Sequence, residues 1–435
     1  MRGSKTAWPL RSRRSDGLRI QLWSYNYAPE PTGIAPVSTV WAETMRRLGH
    51  EVEVVAAFPH YPEPIWSHPR RPYRETINGI RVTRLPLWVG RASAAQRIRQ
   101  ELSFMAAQTA AIPFLRKPDV MVAVSPSFPA LLPAAIYGRL RRVPWILWLH
   151  DVLPDGATAT GLVDDGSVVV KAARKLERLA YREADSIVVL SQAFVRNLEA
   201  KGVPAEKIEL IYDPATRKPG RETGNGAGNG AGANGNGAGT NGNGAGANGN
   251  GRRRLLSMGN IGFSQGLEDV VRAFEADPDL NPDVELVIVG SGVAAPEVAK
   301  QVRTSRVEMR GLLPSDELED ELQHACVGIV TQQHGGEEFN IPSKLMNFMM
   351  YGLPILAYVD PGSEVARIVK ASGAGWIADN ADPSAFVRAV QAATSRPGEI
   401  AQRGAAGRAY AERNFSPDAF ALSFDAVVRR AGARS

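Results

Sequence analysis

A lysine in the first turn of a short apolar helix can seat a phosphate, and residues 337–355 of this chain are written for that arrangement. An acidic loop, Glu337-Glu338-Phe339-Asn340, runs through Ile341 into Pro342-Ser343, a helix-opening pair. The apolar run Leu345-Met346-Asn347-Phe348-Met349-Met350 follows, Gly352 closes the helix, and Ile355 to Val359 reads as a buried strand. The first N–H groups of such a helix have no intrahelical partner, and the positive end of its dipole attracts an anion. Lys344 adds a full charge where a cation is otherwise unfavourable, so its position points to an anion. The plain alternative is a solvated lysine in an ordinary βα unit.

Other residues could do chemistry beside it. Gly259-Asn260-Ile261-Gly262 follows one strand and precedes a helix, so Gly259 and Gly262 let backbone approach a diphosphate. Gly290-Ser291-Gly292-Val293-Ala294-Ala295 follows a second strand and fits a dinucleotide fingerprint ending in Ala. A nicotinamide or flavin enzyme places that motif on the first strand of its domain, whereas here another strand-glycine-helix unit precedes it. His150 and Asp151 come directly after the apolar run Trp145 to Leu149, so they emerge at a strand's carboxyl end, where open α/β sheets collect ligands. Asp277-Pro278-Asp279 has the form of a metal-diphosphate motif, but it precedes a strand and reads as a solvated turn. No His, Asp and Glu cluster has metal-ligand spacing, so no metal and no cofactor is expected.

The segment around Pro342-Ser343-Lys344-Leu345 resembles the nucleotide-sugar site of glycosyltransferase family 4. The similar branch builds bacterial surface polysaccharides of colanic acid or O-antigen type and includes fucosyl- and N-acetylfucosaminyl-transferases. Three further stretches resemble the same branch in the same order: Tyr27 to Pro36 with Phe58-Pro59-His60-Tyr61-Pro62; Leu149-His150-Asp151-Val152-Leu153-Pro154-Asp155; and Met258 to Leu267. The resemblance implies that Gly259, Asn260, Gly262, Gly290, Gly292 and Lys344 lie beside the nucleotide-sugar. It places His150 near the donor sugar. Gly33, His60 and Asp151 fall on the acceptor side. Many members carry an Arg and a Lys in the first glycine loop, where this chain has Asn260 and Gln265. Lys344 must then supply most of the charge. The family's paired acids are also altered: Glu338 stands at about the place of the sugar-contacting acid, and Asn347 holds the place of the ribose-binding one.

The elements that must position these residues follow a βαβ rhythm. Strands are expected at Arg19 to Ser24, Glu51 to Ala56, Val120 to Val124, Trp145 to Leu149 and Ser186 to Leu190, with a helix around Val37 to Leu48. The rhythm returns at Arg254 to Met258, Val284 to Val289, Val307 to Met309, Gly328 to Thr331 and Ile355 to Val359, with a helix around Glu268 to Phe274. The fold class is therefore α/β, resembling GT-B, with two Rossmann-like domains facing a central cleft. The resemblance implies a tail at 1–17, an acceptor domain at 18–213 and a nucleotide-sugar domain at 254–415. In the resembling fold, 416–435 would form a helix that crosses back to the first domain. Between the domains, 214–253 is a linker whose Gly, Asn and Ala tract, Gly224 to Gly251, cannot build a core and reads as disordered coil spanning about 30 Å.

Composition narrows the classes. The chain has 435 residues and one cysteine, Cys326, which excludes an intrachain disulfide and a four-cysteine zinc site and fits a reducing cytoplasm. No run of eighteen apolar residues is present, and Met1 to Arg14 is basic without a signal peptide's apolar stretch. Residues 1–214 carry 29 Lys and Arg against 20 Asp and Glu, whereas the remainder carries 22 against 25. Only the first half is basic. No nucleic-acid motif accompanies that charge, so an anionic membrane surface is the expected partner, through Arg91, Arg97, Arg99, Leu102, Phe104, Met105, Arg116 and Lys117.

The expected activity is hexosyl transfer from a nucleotide-sugar to a saccharide or lipid-linked saccharide, with retention at the anomeric carbon as the resemblance implies. The alternatives are a sugar-nucleotide epimerase of similar fold and a non-catalytic nucleotide-sugar-binding subunit.

Overall fold

A computed structural model describes residues 17–31, 33–60, 66, 69, 71–90, 93–125, 129–151, 168–217, 252–277, 282–334 and 341–434. The Gly224 to Gly251 tract, the N-terminal tail and the loop containing Glu337 and Glu338 lie outside the described residues. The chain divides into two compact units, Met1–Val188 with Ser423–Ser435, and Val189–Leu422.

The first sheet contains β1 (Arg19–Ser24), β2 (Glu51–Ala57), β3 (Tyr73–Ile77), β4 (Ile80–Leu85), β5 (Val120–Val124), β6 (Trp145–Leu149), β7 (Ser186–Val189) and β8 (Ile208–Leu210). Its order is β3-β4-β2-β1-β5-β6-β7-β8. The central strands are buried on both faces, as β5 and β6 show along their whole length, which is the pattern of a parallel sheet covered by helices. The antiparallel β3–β4 pair was not foreseen. It turns on Asn78-Gly79, both at positive φ (50° and 77°), a two-residue hairpin whose twist matches its strands. The core includes Trp41, Trp148 and Phe424, with Phe424 edge-on to both indoles at 5.4 and 5.2 Å. Phe424 belongs to the last helix, Pro417–Gly432, whose Asp425 also meets His50 Nε2 at 2.7 Å.

The second sheet contains β9 (Arg253–Asn260), β10 (Val284–Ser291), β11 (Val307–Arg310), β12 (Val327–Thr331), β13 (Ile355–Val359) and β14 (Gly375–Asp379). Its order, β11-β10-β9-β12-β13-β14, is that of a doubly wound dinucleotide fold, and every pairing is parallel. The strand order reverses between β9 and β12. Only Val327↔Leu255 and Gly328↔Leu256 are in register there, although β9 continues to Asn260 and β12 to Thr331. The two strands part toward their carboxyl ends, which opens the crevice where such sheets bind ligands. In the first sheet the same reversal falls between β1 and β5.

Candidate active site

The crevice in the second unit is built by close backbone packing on one side. Gly290 pairs with Gly259 and Ser291 with Asn260 at the ends of β10 and β9. A Cβ on Gly290 would lie 1.9 Å from the Gly259 carbonyl oxygen, and one on Gly292 would lie 2.3 Å from that of Ile261. The fingerprint glycines thus allow the two loops to touch, and Ala294 N donates to Ile261 O at 3.0 Å to fix them. Gly259 differs. It sits at φ 107°, but among the described residues a Cβ there would meet nothing within 4 Å. Open space therefore adjoins this backbone, as a loop approached by a ligand requires. Asn260 is exposed beside it, and Gly262 leads into a tight turn ending at Gly266, φ 58°, which starts the helix Leu267–Ala276.

The helix Ser343–Met350 closes the crevice from the other side, and its seat is legible in the packing. Gly328 on β12 leaves room for the Phe348 ring, which a Cβ would approach to 2.6 Å. Every residue from Lys344 to Met350 is buried. Pro342 precedes the first turn, no side chain caps it and no acid lies in it. Gly352, φ 71°, follows the helix and ends it in the left-handed conformation, as its position in the sequence indicated. Lys344, 6 % exposed, directs its Nζ to Gln265 Oε1 in the glycine loop. Two segments 79 residues apart are thereby joined by one side-chain contact. Ser264 O also accepts from Gln333 N at 2.7 Å, which ties the β9 loop to the end of β12.

Asn347 lies one turn beyond Lys344. Its Oδ1 accepts from the backbone N–H groups of Thr216 and Arg217 at 3.1 and 3.2 Å. Glu338 lies outside the described residues. Residues that sequence reasoning passed over also reach this end of the sheet. Asn380 Nδ2 donates to Gln332 O at 2.8 Å, and its Oδ1 lies 3.4 Å from His334 Nδ1. The available signal was the polar run Gln332-Gln333-His334 directly after a fully buried strand.

The first unit gathers polar residues at the carboxyl ends of β1, β5 and β6. His150 is 8 % exposed; its N–H donates to Ser125 Oγ at 3.1 Å, and its ring lies 4.8 Å from that of Trp148. Burial pushes its pKa down to about 3, so the imidazole is neutral at ordinary pH. It can offer a hydrogen bond without adding charge. Asp151, the next residue, is half-buried. Gly33 takes φ 65° just before the helix Ala35–Arg47, and among the described residues nothing lies within 4 Å of where a Cβ would stand. His60 is 1 % exposed, its N–H donates to Glu30 Oε1 at 2.9 Å, and its ring stands edge-on to Tyr25. It is a core residue that braces the loop carrying Gly33 rather than an exposed group.

Among the described residues, no group of three or more His, Cys, Asp or Glu is placed to hold a metal ion. Asp277 ends the helix Leu267–Ala276, and its partners in the Asp-x-Asp lie outside the described residues.

Two doubly wound sheets, parallel but for the β3–β4 edge pair, with glycine loops at their carboxyl ends, define the GT-B class of glycosyltransferase folds. Sucrose-phosphate synthase from Thermosynechococcus elongatus superposes with a TM-score of 0.69 at 16% identity, covering 96% of this chain and 100% of that one. Anabaena HepE, solved in complex with UDP-glucose, superposes with a TM-score of 0.62 at 15% identity, covering 95% and 100%. In sequence, residues 32–214 match the glycosyl transferase 4-like domain and residues 252–396 match the glycosyl transferases group 1 domain. The chain belongs to glycosyltransferase family 4 and is an enzyme of that family. Escherichia coli K12 WcaI, described as a colanic acid biosynthesis glycosyl transferase, is 25% identical over 412 residues, 92% of this chain and 97% of that protein.

Proposed function

We propose that this enzyme transfers a hexosyl group, with retention, from a nucleotide-sugar to a saccharide acceptor in surface-polysaccharide biosynthesis, the acceptor being lipid-linked. The observation that carries the donor assignment is the contact of Lys344 with Gln265, which brings the helix N-terminus and the glycine loop to one crevice. A leaving diphosphate needs fixed positive charge and N–H donors rather than a protein nucleophile. Lys344, the first-turn N–H groups and the open backbone at Gly259 supply them. HepE's complex with UDP-glucose and the description of WcaI support this reading. Gly33 and Asp151 are assigned to the acceptor, and His150 to orienting sugar as a neutral donor.

The test is a panel of labelled UDP-, GDP- and TDP-sugars with lipid-linked acceptors, run with and without EDTA. We expect transfer with one donor class and equal turnover in both arms, since Lys344 takes the place of a metal. Interconversion of donors without transfer would indicate an epimerase, and no reaction of any donor would leave only a binding role.

The membrane partner is proposed on the helix Ala94–Ala111. Ile98 and Leu102 are 42 and 45 % exposed, and Ala106 and Thr109 continue the same outward stripe. Phe114 is 76 % exposed just beyond, beside an open groove of about 650 Å³ lined by Leu85, Ala107, Ala110, Ala111 and Arg74 among others. Arg99, stacked on Trp88, and Lys117 bring positive charge. Arg91 lies outside the described residues. Among the described residues no helix is long and apolar enough to cross a membrane, so the proposal is peripheral docking on the cytoplasmic face. Co-sedimentation with phosphatidylglycerol vesicles is expected to weaken as salt rises. Replacing both Leu102 and Phe114 by Asp should cost more than tenfold in binding, since each large apolar side chain buried contributes about 1.5–3 kcal/mol. Equal recovery with neutral and anionic vesicles would contradict this surface.

A further inference from the structure

The hydrogen bonds of Asn347 carry an inference that rests on the donor assignment above and adds to it. Asn347 is 5 % exposed and stands on the same helix face as Lys344, three residues on. An amide oxygen has two acceptor sites. Both are occupied, by the N–H groups of Thr216 at 3.1 Å and Arg217 at 3.2 Å. Nδ2 faces Thr216 Oγ1 at 3.5 Å.

The segment so held is fixed to the second unit along its length. Ala215 is buried in the same core cluster as Leu345, Met346 and Phe348, and its N–H donates to Phe415 O at 2.7 Å. Tyr212 OH meets Glu364 Oε1 at 3.2 Å and Arg367, its ring stands edge-on to Phe415, and Arg217 Nη1 donates to Ser315 Oγ at 3.1 Å. The anchored stretch thus packs against the helix whose first turn presents Lys344.

We propose that Asn347 is a positioning residue. It clamps Ile211–Arg217 to the helix Ser343–Met350, so that the helix N-terminus and Lys344 are held in the orientation that receives the diphosphate, and it does not itself contact the ribose.

Amide hydrogen exchange and nucleotide binding test this together. In Asn347→Leu, which removes the acceptor at similar volume, the Thr216 and Arg217 amides should exchange at least about tenfold faster. Affinity for the nucleoside diphosphate (UDP, GDP or TDP, whichever the wild type binds) should fall by about tenfold, the scale of one or two lost hydrogen bonds. Asn347→Asp keeps two acceptors on the same stem and should restore protection. The decisive comparison is between that nucleotide and its 2′,3′-dideoxy form. A positioning residue imposes the same fold-loss on both, whereas a ribose ligand loses its effect once the hydroxyls are gone. A fold-loss that vanishes with the dideoxy form, or unchanged exchange in Asn347→Leu, would overturn the proposal. Failure of the wild-type chain to bind any nucleoside diphosphate would instead remove the donor assignment, and the positioning role with it.

Discussion

Lys344→Ala is expected to lower turnover by at least about a hundredfold while the fold persists, because one preorganised charge at a developing anion contributes about 3 kcal/mol or more. The expectation comes from the loop facing the lysine, where Asn260 and Gln265 are neutral. No other lysine lies within the crevice segments 259–266, 290–295 and 342–347, and those segments contain no arginine. Lys344 is buried, so truncation to Ala also leaves a space. Lys344→Met keeps the stem and should lose as much turnover as Ala, with a smaller change in melting temperature. Lys344→Arg should recover activity only in part, since a planar guanidinium cannot reproduce a compact ammonium at the same seat. Steady-state kinetics beside thermal melting separate these outcomes. Near-normal turnover in the Met variant would remove the diphosphate from this helix.

Gly290→Ala should produce the largest loss of stability at the site. The new Cβ would stand 1.9 Å from the Gly259 carbonyl oxygen, at a residue whose φ of 145° disfavours a side chain. Backbone on both strands must move, and overpacking and strain together cost about 3 kcal/mol or more. In a unit of this size that corresponds to a fall of roughly 6–12 °C in melting temperature. Gly259→Ala is the informative partner. Its φ of 107° carries strain, but among the described residues nothing beyond its chain neighbours lies within 4 Å of the added Cβ. It should cost less stability than Gly290→Ala while weakening nucleotide binding, because it fills the open space beside the loop. Equal melting temperatures for the two variants would contradict the packing account.

Much of this was legible in the sequence, for a physical reason: parallel strands buried on both faces are continuous apolar runs, so β1, β5, β6 and β13 were found with their observed bounds. The Ser343–Met350 helix was legible because Pro and Gly punctuate it. β3, β4, β8 and β14 were not read. β3 is an edge strand whose residues are only partly buried in alternation, and β14 has one buried residue in five. Asn78-Gly79 was a signal for the hairpin all the same. The two glycine loops meet in the fold, yet the sequence could not divide their roles: Gly290 and Gly292 serve backbone contact, and Gly259 faces no other described residue within 4 Å. Partners were less visible still. Nothing in Asn347's neighbours along the chain points to Thr216 and Arg217, which are about 130 residues away and are met only through the fold. His60 read as a lining residue from the proline and aromatic residues beside it in sequence, and in the fold it is buried with Tyr25, Phe58 and Glu30 as contacts.

The central claim is that the second unit seats the donor's diphosphate between Lys344 and the Gly259 loop. A crystal structure of the enzyme with a nucleoside diphosphate measures this most directly. The account predicts phosphate oxygens within hydrogen-bond reach of Lys344 Nζ and of backbone N–H groups in 259–262 or at Ser343. A nucleotide bound with its phosphates away from Lys344, or bound only in the first unit, would contradict it.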